Sequence, residues 1–372
     1  MFAGDHTSDG QMQPIIDALS SHFTLRTLHL NSVYVEEDAM AAFEALLCNV
    51  TPTLMSLTLY ACIHDQTAAA LATVLTSNGT LRLLRAISNK SITETGWMAI
   101  FAALCGNSCR VEQLDVFHNN SSDTAARSLA SVLTANKSLK RLNISGCKQT
   151  TAVGWRSICL AVQSPACTLK ALCVGQNPPG GTMAILSAFV STNLLLEKLN
   201  LCESGINNTT VIALVNALAS NNTLTELNLT ENYGITDQGW SAFSRALCNP
   251  RNIMSTFQSN NTLRTLGYSS GSPLHWERVQ SLLRLNRGNS KREAARHKII
   301  DTHFRGPKDF AVQPFVDMDL VVLPRAIAWM SRHSASGRID EHFYGFLRNT
   351  TSWLAGLDAR VNRRAKKQKT QH

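Results

Sequence analysis

A chain of 372 residues with 44% apolar and 16% charged residues can bury a sizeable core, and it contains no run of about 18 uncharged apolar residues, which excludes a hydropathy-defined membrane helix. The first residues, MFAGDHTSDGQMQ, have neither the charged nor the apolar region of a secretory signal, and the ten cysteines form no CxxC pair. An intracellular protein, cytoplasmic or nuclear, with reduced thiols is expected, and the net charge of +9 is divided unevenly: residues 1–260 hold 15 Lys/Arg against 17 Asp/Glu, whereas residues 261–372 hold 20 against 9.

Residues 1–13 read as a polar tail. From there to about residue 285 the pattern L-x-x-L-x-L recurs, as in Leu25/Leu28/Leu30, Leu54/Leu57/Leu59 and Val111/Leu114/Val116. Its first positions fall at Leu25, Leu54, Leu81, Val111, Leu139, Leu169, Leu196, Leu224 and Leu263, separated by 29, 27, 30, 28, 30, 27, 28 and 39 residues. Eight residues after most of them stands Asn or Cys: Cys62, Asn89, Asn119, Cys147, Asn177 and Asn232, with exceptions at Val33 and Ser204. Such side chains satisfy backbone groups where a chain leaves a strand. Runs such as AAALATVLTSN and TVIALVNALASN then carry Ala and Leu at helical spacing. Each helix closes on Asn (Asn49, Asn78, Asn107, Asn136, Asn193, Asn221), which is expected to take the left-handed conformation that ends a helix.

Three units share a helix-start device. Thr93, Thr151 and Thr236 are N-cap candidates, and Trp97, Trp155 and Trp240 then fall at the fourth helical position, where Ile92 and Ile235 can staple against the first and last of them. These tryptophans read as structural. Beyond Leu229 the rhythm changes with the extra segment NPRNIMSTFQ. Ser272-Pro273 opens a helix closed by Gly288, and Ser290-x-x-Glu293 is a capping box for a second. Apolar patterns further on complete a helical cap over residues 286–357, and residues 358–372 form a basic tail expected to be disordered.

Units of 27 to 30 residues with this L-x-x-L-x-L-x-x-N/C core resemble the ribonuclease-inhibitor-like class of leucine-rich repeats. The resemblance covers residues 14–285, and the segment beyond is similar to tails of uncharacterised members from single-celled algae. It implies an α/β fold: a right-handed leucine-rich-repeat solenoid, or horseshoe, with a parallel β-ribbon on the concave face, convex helices and a C-terminal helical cap. Strands sit about 4.8 Å apart and helices about 10 Å apart, so such an array must curve. It also implies a non-catalytic, protein-binding role.

In this class the positions between and after the second and third leucines carry much of the contact with partners. Mapped here, Tyr60, Ile87 and Phe117 form an apolar strip across three consecutive units, flanked by Arg82, Leu83, Arg85 and Asp115, which gives the candidate partner site its hot-spot composition. The concave positions are mildly basic overall, so the partner is expected to be an unidentified protein, neutral or acidic. The later units have a blander face and read as scaffold.

Two alternatives stand beside this. The first is a regulator of a small GTPase of the activating type, with Arg85 or Arg82 as its charged group. The second is a nuclear or nucleic-acid-associated adaptor acting through Arg360, Arg363, Arg364, Lys366, Lys367 and Lys369. Nucleic acid is expected only at that tail, since no RNP-like aromatic motif accompanies it. No membrane contact, cofactor or metal is expected. The chain lacks GxxxxGK[ST], GxSxG, HExxH and GxGxxG, and its eleven histidines show no ligand spacing.

Overall fold

The computed structural model describes residues 2–3, 24–32, 43, 45, 53–178, 195–267 and 273–303. Two compact units divide the chain: Met1–Leu247 with Asn260–Arg287, and Cys248–Ser259 with Gly288–His372. Of the expected helix over residues 39–49 only Phe43 and Ala45 are described, both helical, while Asn49, Val33, Asn193, the cap patterns beyond residue 303 and the basic tail lie outside the described residues.

The larger unit is an α/β leucine-rich-repeat solenoid. Ten parallel strands form one sheet in sequence order: β1 (Phe2–Ala3), β2 (Thr27–Asn31), β3 (Ser56–Tyr60), β4 (Leu83–Ile87), β5 (Gln113–Asp115), β6 (Arg141–Asn143), β7 (Ala171–Cys173), β8 (Lys198–Asn200), β9 (Glu226–Asn228) and β10 (Thr265–Gly267). Parallel neighbours require crossovers, and helices supply them: α1 (Asp65–Ser77), α2 (Glu94–Leu104), α3 (Asp123–Ala135), α4 (Ala152–Gln163), α5 (Asn208–Ser220) and α6 (Asp237–Leu247). The leucines of the repeat alternate inward along each strand, so Leu57, Leu84, Leu114, Leu142, Leu172, Leu199 and Leu227 are all at most 2% exposed. Stacking the same small apolar layer many times gives one continuous core without any residue far apart in sequence having to find its partner.

Asparagine holds the strand exits in register. The Asn119 side chain accepts from Asn89 N at 2.7 Å and donates to Ala86 O and Val116 O, both at 2.7 Å. Asn89 does the same one unit earlier, accepting from Cys62 N and Ile63 N and donating to Leu59 O. Asn232 repeats the pattern against Ser204 N, Ile206 N and Leu201 O. These are buried backbone groups that no strand ladder reaches, and leaving each unpaired would cost about 1–3 kcal/mol.

The helix-closing asparagines differ from expectation. Asn78, Asn136 and Asn221 are extended, with φ of −79°, −74° and −81° and ψ of 118°, 117° and 123°. Their side-chain carbonyls accept instead from two following backbone N–H groups, Thr80 and Leu81 in the case of Asn78, which turns the chain into the next strand. Among the described residues, all the left-handed ones except Gly205 stand seven positions after the first leucine. Ser32, Ala61, Ser88, Gly146 and Glu231 are examples, with φ of 52°, 48°, 56°, 69° and 59°. Most are not glycine. Their N–H groups extend the ladder, as Ala61 N does to Ile87 O at 2.9 Å and Ser88 N to Phe117 O at 3.0 Å, which offsets the strain.

The threonine caps form as the spacing predicts. Thr93 and Thr151 accept from Thr95 N and Val153 N at the starts of α2 and α4. They are in turn held by the preceding unit: Asp123 accepts from Thr151 N at 2.8 Å, Thr151 Oγ1 at 2.5 Å and Gly154 N at 3.2 Å. Asp65 plays the same part for Thr93, and Asn208 for Thr236, through Thr236 N at 3.0 Å and a bond from its amide to the Thr236 hydroxyl at 2.8 Å. Glycine three residues after each cap lets the helix approach this closely, since a Cβ on Gly154 would stand 2.6 Å from Asp123 Oδ1.

Burial raises the Asp123 carboxyl, but the hydrogen bonds from Thr151 and Gly154 outweigh it and hold the group below its usual range. A depressed acid contributes stability above its unfolded pKa and loses it as pH falls through the folded one. Asp123→Asn is therefore expected to keep the cap, as Asn208 does naturally, and to flatten the acid limb of a thermal-midpoint profile. An unchanged acid limb would show that the carboxylate contributes nothing.

In the second unit, α7 (Ile253–Phe257) is capped by Asn252, which accepts from Ser255 N at 2.7 Å. The extra segment read from the sequence thus carries its own short helix. The Ser290–Glu293 capping box starts α9 (Lys291–His303), with Ser290 N donating to Glu293 Oε2 at 2.9 Å. Helix α8 (Pro273–Gly288) has the boundaries that the proline and glycine predict.

Candidate protein-binding face

The strand face turned away from the helices presents three columns of side chains. The register places His29, Thr58, Arg85, Asp115, Asn143, Cys173, Asn200 and Asn228 side by side in one column, as the sequence mapping expects. Neighbours in the column act on one another: Asn143 lowers the pKa of the Asp115 carboxyl beside it, and Asn200 that of the Cys173 thiol, in both cases against the larger effect of burial. Burial raises the Asp115 carboxyl, with the Phe117 N–H, Asn143 and nearby Arg85 acting against it.

A groove of about 490 Å³ runs over β4 to β10 on this face. Its floor and walls include Leu83, Arg85, Asp115, Arg141, Asn143, Ala171, Cys173, Lys198, Asn200, Glu226 and Gly267. Small residues deepen it. Ala171 and Cys173 belong to one strand, and Gly267 sits so close to Asn228 that a Cβ there would lie 2.0 Å from Asn228 Oδ1.

The seven residues singled out in the sequence are divided among three places. Leu83, Arg85 and Asp115 line the groove. Tyr60, Ile87 and Phe117 stand on the strand-exit side, Tyr60 opposite Ile87 in the register and 41% exposed, Ile87 and Phe117 half-buried. Phe117 stacks on His118 with ring centroids 4.0 Å apart. Arg82 lies on the strand-start side, where its guanidinium donates to Thr80 O at 2.9 Å and Gly79 O at 3.1 Å and meets Glu112 at 3.6 Å. Sequence reading counts Asn143, Cys173 and Asn200 into the column from His29 to Asn228 and Arg141 and Lys198 onto the same face, but it treats these later units as scaffold and passes over Ala171. The signal available was the run of small residues in the unit of Leu169, flanked by charged residues in the same columns.

Charges on this face pair along the columns, each with the same position of the next unit: Arg82 with Glu112, Lys170 with Glu197 at 2.9 Å and Lys198 with Glu226 at 2.6 Å. All are about half exposed, so each contributes at most about 1 kcal/mol. Their effect is to order the groove's rim. Among the described residues no cluster of His, Cys, Asp or Glu could hold a metal ion, and no helix is long and apolar enough to cross a membrane.

Repeat and ladder together define a leucine-rich-repeat solenoid. No family model matches the chain. It is similar to pig (Sus scrofa) ribonuclease inhibitor, 26% identical over 204 residues that cover 54% of this chain and 44% of that protein. It is also similar to the human (Homo sapiens) NACHT, LRR and PYD domains-containing protein 5, 25% identical over 184 residues, 49% of this chain and 15% of that one. The chain thus spans less than half the length of either relative. Among solved structures, the Rad7 and Elc1 complex of yeast aligns at 14% identity with a TM-score of 0.31, covering 70% of this chain and 76% of that one.

Proposed function

We propose that this protein is a non-catalytic binding scaffold that holds a protein partner, neutral or acidic, in the groove over β4 to β10, with the Tyr60, Ile87 and Phe117 strip as its flank, in the cytoplasm or nucleus. The observation that carries the reading is the groove itself: seven successive strands contribute to one cavity on the face turned away from the described helices. Concave sites of this volume, part apolar and part polar, suit ligand side chains. The similarity to a ribonuclease inhibitor supports the same reading. Arg82 is engaged with its own unit's carbonyls and Glu112, which favours passive binding over a GTPase-activating role.

Filling the groove tests it. Ala171→Trp is expected to reduce the protein retained on the full chain from native cells by more than tenfold, while Leu160→Trp, at a 63% exposed position on α4, leaves it unchanged. Equal retention by both variants would refute the assignment.

A further inference from the structure

We infer that the groove recognises an acidic side chain of its partner, an Asp or Glu carboxylate seated on Arg141 above the floor formed by Ala171 and Cys173. This rests on the proposed binding role and names the chemistry of its occupant.

The argument is one of uncompensated charge. Along the face, cations meet carboxylates of the following unit, but the pattern breaks at β6. Arg141 has Gln113 and Ala171 as its register neighbours, neither of which can neutralise it. Lys140 is followed in its own column by Lys170, which is committed to Glu197, and preceded by Glu112, which meets Arg82. Neither Lys140 nor Arg141 has a carboxylate within ion-pair distance among the described residues, and Arg141 is exposed.

The space beside them is of the right kind. The next strand offers Ala171, Leu172 and Cys173 to the groove and no charged group, so an incoming side chain can lay its stem over them and reach the guanidinium from solvent. The planar guanidinium of Arg141 can take a carboxylate through two parallel hydrogen bonds. Asn143 lies two residues on along the same strand face and brings an amide donor to the groove.

The same face decides between kinds of anion. A nucleic-acid backbone following the groove would meet the Asp115 carboxylate beside Arg141 and, farther along, a Lys198 already paired with Glu226, so its regularly spaced phosphates would find no matching row of free cations. A peptide with an isolated carboxylate, placing apolar neighbours against Leu83 and Ala171, meets no such conflict.

The test is to pan a phage-displayed library of random 12-residue peptides against the full chain, then measure the enriched peptides by fluorescence polarisation against Arg141→Gln, Arg141→Lys and Ala171→Trp. Circular dichroism serves as the control for folding. The expected result is enriched peptides rich in Asp or Glu, bound at least tenfold more weakly by Arg141→Gln and by Ala171→Trp, and partly recovered by Arg141→Lys. Peptides that lack acidic residues, bind Arg141→Gln normally and fail on Ala171→Trp would overturn the carboxylate subsite while leaving the groove as the binding face. Peptides indifferent to both substitutions, or no enrichment, would overturn both. Tighter binding of a dT20 oligonucleotide than of the acidic peptides, lost with Arg141→Gln, would also overturn the assignment to a protein carboxylate.

Discussion

Trp97→Ala is expected to cost about 3–5 kcal/mol of stability, among the largest single-residue losses in the repeat unit. The indole is 1% exposed, packs on Phe101 with centroids 5.5 Å apart, and shares its core layer with Ile92, also 1% exposed. Truncation leaves a cavity that cannot relax, because Trp97 sits one turn from a helix start pinned to the preceding unit by Asp65 and Thr93. Gly96 marks how tightly this start is packed, since a Cβ there would stand 2.6 Å from Asp65 Oδ1 and 3.0 Å from the Ala68 Cβ. In an array stabilised by nearest-neighbour interfaces the loss falls first on the unit of Leu81 and its two neighbours. Trp97→Phe should cost much less. The indole N–H has no partner among the described residues, so phenylalanine gives up packing volume but also removes an unpaired buried donor. Urea titration of both variants checks the pair of values, and equal losses would contradict the cavity argument.

Lys298→Met is expected to act in the opposite direction, stabilising the smaller unit by on the order of 4 kcal/mol at neutral pH. Lys298 is 0% exposed on α9, and burial pulls its ammonium down to about 7, with the nearby Cys248 thiol acting against it. A lysine depressed in the folded state binds its proton less readily there than in the unfolded chain. Stability therefore rises with pH from the folded value near 7 toward the usual value near 10.5, and the burden is greatest at and below neutrality. Among the described residues, the groups shifted nearest this range fall to either side of it. His303, whose Nε2 lies 2.8 Å from Thr256 Oγ1, is itself pulled downward by burial and so titrates below that range. In the other unit the buried thiols of Cys62, Cys147 and Cys159 are pushed up to about 12, so they subtract stability only above their ordinary value of 9.0. Between pH of about 7 and 9 the native chain should gain about 2 kcal/mol in α9, read by amide hydrogen exchange, and Lys298→Met should show no such gain. A destabilised variant would mean that the buried ammonium is held by partners worth more than its desolvation.

Much of this was legible in the chain because a leucine-rich repeat states its geometry many times over. The column from His29 to Asn228 follows from counting four residues past each first leucine, and the strand register places those residues together. Thr93 and Thr151 could be read as caps because threonine, glycine and tryptophan recur at fixed offsets.

What resisted reading has physical reasons. An asparagine at a helix end can turn the chain either by its own left-handed backbone or by its side-chain carbonyl, and the spacing is the same for both. Asn78 and Asn136 use the carbonyl. The left-handed position is occupied by Ala61, Ser88 and Glu231, residues that carry no conformational signature, and only Gly146 hinted at it. The groove was missed because attention goes to large side chains such as Tyr60 and Phe117, whereas a cavity is made by small ones such as Ala171 and Cys173.

The most direct measurement is site-specific photocrosslinking in cells, with a benzophenone side chain placed at Asn143 in the groove or at Leu160 on α4. A discrete protein adduct from position 143 and none from position 160 is the predicted outcome. Adducts from position 160 alone, or equally from both, would contradict a partner held in the groove over β4 to β10.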